Sequence, residues 1–236
     1  MKRILFPLLF AGLFTIMFTA CNDKDDDGGD SKEDYYTVPI GQIFLYQEGQ
    51  DLSDITNLKA CFNYNNWFLV SLDDISFSPE DAMELKFPTD LSTLNYMTDF
   101  FDDSMLSDPS AKWTDQVYII AYADSKAVGH LMPVKVEGDA ITWVFYVYVN
   151  SDVVIDGEGE DENDVPITVK CSLSKGWNRI ARKTIVWGEE QYIEKIELST
   201  VIPSGLEWCF FEVYDETRSF GGERLFNLGP DVFIKK

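Results

Sequence analysis

The densest group of potential ligand atoms in the chain is Asp156-Gly157-Glu158-Gly159-Glu160-Asp161-Glu162-Asn163-Asp164, preceded by Asp152. Calcium is the natural guest for such a run, because it takes six to eight oxygens and the alternate glycines let a loop curl around it. Asp156, Glu158 and Glu160 are the candidate ligands. The EF-hand pattern does not apply, since Asp161 stands where that loop needs its Gly and Ile167 where it needs its last Glu. The competing reading is a solvated hairpin loop whose charge guards a sheet against aggregation.

Other chemistries are narrower. His130 is the only histidine, so a site with two imidazoles is excluded and a zinc cluster is not expected. It sits in VGHLMPV, an apolar strand context, and no Gly-x-Ser-x-Gly surrounds any serine, which argues against a Ser-His-Asp triad. Paired carboxylates for glycoside hydrolysis remain the enzymatic alternative, because 34 of the 41 acids follow residue 34 and supply pairs by number alone. Neither a phosphate loop nor a GxGxxG dinucleotide motif occurs. Three aromatic residues are candidates for stacking on sugar rings: Tyr146 and Tyr148, on one face of the alternating segment Ile141–Val149, and Trp177 in the turn LSKGWNR. Packing is the competing reading for the tyrosines, and a plug at a hairpin end for Trp177.

The elements that must position these residues are mostly strands. Period-two alternation runs through 116–123, 127–136, 140–150, 165–173, 178–187, 191–201 and 206–215, with turns at Glu137-Gly138-Asp139 and Pro203-Ser204-Gly205, and predicts a meander of antiparallel hairpins. Upstream, YYTVPIGQIFLY (35–46) reads as an entering or edge strand, and Asn65-Asn66 as a hairpin turn between ACFNY and WFLVSL. Between these lie helix signals. Ser78-Pro79-Glu80-Asp81 resembles a capped helix start, and Leu91, Leu94, Met97, Phe101 and Met105 recur at spacings of three and four, one side of a helix packed on a core. The expectation is a mainly β fold, an antiparallel sandwich or barrel-like unit over 35–236, with a short helical insert at 78–107. The stretch 108–114 leaves open a division into two β domains.

Charge narrows the partners. The 236 residues carry 19 Lys and Arg against 41 Asp and Glu, a net charge of −22. Such a surface repels phosphate backbones, so nucleic acid is not an expected partner. Cys61, Cys171 and Cys209 stand in apolar strand contexts with no CxxC spacing, so one disulfide or three buried thiols are both open.

The N-terminal stretch gives the address. Lys2 and Arg3 precede the uncharged apolar run Ile4–Phe18, and Thr19-Ala20 supply small residues before a cysteine, the pattern of a secretory leader over 1–20. Phe18-Thr19-Ala20-Cys21 resembles the lipobox of bacterial lipoproteins, with Phe18 in place of the usual aliphatic residue. The resemblance implies that Cys21 becomes a lipid-bearing first residue. Two or more acyl chains then hold the protein stably, each buried CH2 contributing about 0.8 kcal/mol. Residues 22–34 carry seven acids and two lysines, too little apolar surface to fold. They read as a tether, about 20 Å in root-mean-square span and roughly 45 Å when extended. Within it, Lys24-Asp25-Asp26-Asp27 resembles the surface-export signal of Bacteroidota-type lipoproteins. That implies an outer-membrane protein facing the cell exterior, and the functional expectation is a non-catalytic module for glycan or for an envelope partner.

Overall fold

The computed structural model describes residues 35–45, 51–64, 68–78, 83–161, 164–187 and 192–212. Period-two sequence becomes strand almost throughout. The first strands are β1 (Tyr35–Ile40), β2 (Ile43–Leu45), β3 (Asn57–Tyr64), β4 (Phe68–Ser76), β5 (Met83–Pro88), β6 (Asn95–Tyr96) and β7 (Lys112–Trp113). The longer strands follow: β8 (Val117–Ala123), β9 (Lys126–Glu137), β10 (Ala140–Val149), β11 (Val153–Glu160), β12 (Pro166–Leu173), β13 (Gly176–Trp187), β14 (Tyr192–Ser199) and β15 (Glu207–Glu212).

β10 is the hinge of the sheet. One of its edges pairs with β13 from Ala140↔Ile185 to Val149↔Gly176. The other edge is shared in turn by β9 at 140–143, by β8 at Tyr146 and by β7 at Val149. β9 makes this possible, because its first half pairs with β8 and its last residues, 134–137, with β10. One wing therefore runs β4-β3-β8-β9-β15-β2, and the other β10-β13-β14-β12-β11. The two make a sandwich-like arrangement and not a closed barrel. A strand that changes partners at a bend is the usual way a sandwich turns its corner.

The pairing departs from a plain meander. β12 and β13 are consecutive, yet β14 inserts between them, parallel to β12 and antiparallel to β13. β2 likewise lies parallel to β15. The β3–β4 hairpin is present, with Tyr64 opposite Phe68, and its Asn65-Asn66 turn lies outside the described residues.

The helical insert is corrected. Where a first helix was expected, Met83-Glu84-Leu85-Lys86-Phe87 alternates buried and exposed and forms β5, pairing with β1 from Tyr35↔Pro88 to Ile40↔Met83. The capping signal at Ser78 was outweighed by this period-two run; Pro79–Asp81 fall outside the described residues. From 89 to 107 no α-helix forms: apart from the two-residue strand β6 the backbone is irregular, with two short 3₁₀ turns, Met97–Asp99 and Asp103–Met105. Local hydrogen bonds compete with the helix there: Asp102 accepts from the Ser104 N–H, and Asp108 from the Ser110 N–H. Most of the apolar stripe still does what its spacing implied, since Leu94, Met97, Phe101 and Met105 are buried and Leu91 is half-buried.

Among the described residues two large clusters form most of the interior, with a small third one at Cys61, Ile120 and Ala127. In one, Met97, Phe100, Phe101, Met105 and Trp113 pack on Val147, Val149, Ile155, Val169, Ile180 and Ile196. In the other, Val38, Ile40, Leu85 and Phe87 pack on Leu58, Phe62, Ile119, Leu131, Tyr146 and Phe210. β10 therefore feeds both through its opposite faces. Gly157 fits the first cluster closely, because a Cβ there would fall within 2.7 Å of the Met105 side chain. Within the stretch 108–114, β7 pairs residues 112–113 with both β6 and β10.

Candidate functional site

The three aromatic candidates do come together, but as a packed nest. Tyr146 and Tyr148 project from β10 beside Trp177 of β13, a consequence of the Tyr148↔Trp177 register. The β1–β5 ribbon lays Tyr36 and Phe87 against them. Phe87 lies 4.8 Å from Trp177 and 5.8 Å from Tyr146; Trp177 lies 5.5 Å from Tyr148 and 6.2 Å from Tyr36. These are the separations at which offset and edge-on rings attract one another. The polar tips are used too: the Tyr148 hydroxyl donates to the Thr89 carbonyl at 3.1 Å, and the Trp177 indole N–H to the Pro88 carbonyl at 2.8 Å.

This corrects the sugar platform at Tyr146 and Tyr148. Only 7% and 5% of these residues remain exposed, because the ribbon covers the ring faces that a sugar would need. Burial also pushes the Tyr146 hydroxyl up to about 12, with the neighbouring Tyr36 adding to the effect. Trp177 is half-buried and acts as the plug at the strand end. The residues that sequence reasoning missed are Tyr36 and Phe87. The alternation in MELKF was the signal for Phe87.

The acid run is corrected from loop to strand. Asp156, Glu158 and Glu160 occupy alternate, exposed positions of β11, which pairs with β12 from Val153↔Leu173 to Glu160↔Pro166. Alternate residues of a strand stand about 6.6 Å apart, so the first and third acids are separated by roughly 13 Å. Calcium needs its oxygens at about 2.3–2.6 Å from one point, and a straight strand does not bring these three there. Among the described residues no group of three acids, histidines or cysteines is placed to hold a metal ion. Asp161 does separate work: it is buried, and its carboxylate accepts the Val165 N–H at 2.9 Å, closing the β11–β12 turn.

His130, on β9, stacks on Phe211 at 5.1 Å with the rings 12° from parallel. Burial pulls its imidazole down to about 4, so the ring is neutral at ordinary pH. It borders a narrow cleft lined also by Gln116, Tyr118, Met132, Trp143 and Phe145, with space on the scale of a single water. No serine or cysteine pairing of a nucleophile with this ring is present among the described hydrogen bonds.

Among the described residues, three carboxylates are moved from their ordinary acidity, and all three move down. A backbone hydrogen bond from Ser53 lowers Asp51, the Ser110 hydroxyl lowers Asp108, and the Lys195 ammonium lowers Glu197. A glycosidase acid needs the opposite shift. Cys61, Cys171 and Cys209 are buried free thiols, and burial pushes Cys61 and Cys171 up to about 12. Cys21 and Lys24–Asp27 lie outside the described residues. With this geometry in hand, comparison with protein-family models, curated proteins and solved structures returns no match.

Proposed function

We propose that this chain is a lipid-anchored protein of the outer membrane, facing the cell exterior, whose β unit binds or scaffolds an envelope partner without catalysis. The observation that carries the reading is the order of residues at the N-terminus: a basic start, an apolar run closing on Thr19-Ala20-Cys21, then Lys24-Asp25-Asp26-Asp27 in an acidic stretch that ends at Asp34. The burial of Tyr146 and Tyr148 moves the weight from a glycan platform to a protein partner.

The test uses whole cells. Wild-type chain should incorporate labelled fatty acid and be removed by protease added outside, whereas Cys21→Ser should lose the label. Replacing Lys24–Asp27 with alanine should retain the label and protect the chain from the external protease. Absence of acyl mass on Cys21 in the wild type overturns the anchor, and equal shaving of the alanine variant overturns the export role of the acidic motif.

A further inference from the structure

We draw no further inference here: the strongest candidate, the aromatic outer face of the first wing where His130 stacks on Phe211 beside Tyr118 and Tyr122, carries nothing because nothing in the structure shows what covers it.

Discussion

β10 and β11 are successive strands with similar alternation and opposite fates. β10 has neighbours on both edges and cover on both faces, so Tyr146 and Tyr148 on one side and Val147 and Val149 on the other are all buried. β11 ends the sheet order and is covered on one face, so Val153 and Ile155 are buried while Asp156, Glu158 and Glu160 face water. Residue type did not decide which candidate group could meet a ligand. The number of covered faces did, and that depends on long-range pairing.

The contrast breaks first at the nest. Phe87 is fully buried against the rings of Tyr36, Tyr146 and Trp177, so Phe87→Ala should lower the unfolding free energy by about 3–5 kcal/mol, as truncation of a core ring does. Tyr146→Ala should fall in the same range. Urea unfolding followed by tryptophan fluorescence measures both, with Trp177 as a local reporter. A loss below about 0.5 kcal/mol for Tyr146→Ala would mean an exposed ring and would restore the sugar platform.

Much of the fold was legible because alternation is a local property. Seven of the eight long strands from β8 onward coincide with period-two runs, and the Gly138 and Gly205 turns have the positive φ that glycine supplies. β11 was hidden because its acids and glycines are poor strand formers in isolation; the Val153 and Ile155 face and the ladder to β12 outweigh that. The insertion of β14 between β12 and β13 left no local trace, since a tight turn at Ser174-Lys175 predicts a hairpin whether or not a third strand enters. The stripe from Leu91 to Met105 is core from Leu94 onward, with Leu91 half-buried, and is not a helix. Spacing reports which side chains are buried, while Asp102 and Asp108 decide the backbone through their own hydrogen bonds. At the candidate site the residue types were visible, but the ribbon that covers them comes from more than fifty residues upstream.

A second effect is read by pH. His130 is held at about 4 by burial, below the ordinary imidazole value of 6.5, so the unfolded chain binds its proton at higher pH than the folded one. Its contribution is therefore complete above pH 6.5, falls as pH drops from 6.5 to 4, and is constant below. The loss is at most about 3 kcal/mol at 1.36 kcal/mol per pH unit. Comparing urea midpoints of wild type and His130→Phe at pH 7.5 and 4.5 subtracts the carboxylates common to both. Wild type should lose more stability than the variant over that interval, and parallel losses would place the imidazole in water.

The covered face of β11 gives a smaller effect. Gly157→Ala drives a Cβ into Met105, and overpacking of this kind costs about 1–3 kcal/mol, moderated here by the flexibility of a methionine. The sharper measurement is coupling: in a Met105→Ala background, Gly157→Ala should cost less than it does in wild type. Strict additivity would show that the two residues do not touch.

The smallest effect belongs to the uncovered face of the same strand. Asp156, Glu158 and Glu160 are exposed and spread along about 13 Å of strand, so replacing all three with alanine should change stability by about 0.5 kcal/mol or less per position. Millimolar calcium should leave the melting temperature of wild type and triple variant equally unmoved. A ligand that binds only the folded state stabilises it by RT ln(1 + [L]/Kd), so a site half-saturated at millimolar calcium already contributes about 0.4 kcal/mol and one a hundredfold tighter about 2.7 kcal/mol. A calcium-dependent rise present in wild type and absent from the triple variant would mean that the strand bends to gather its acids, and β11 would then belong with the ligand sites. The expected loss lies elsewhere: with the acids gone, Val154 remains on an uncharged terminal strand, and the variant should aggregate faster on heating than wild type, as light scattering would record. Equal aggregation rates would remove the protective role from the acids and leave their charge without a structural purpose.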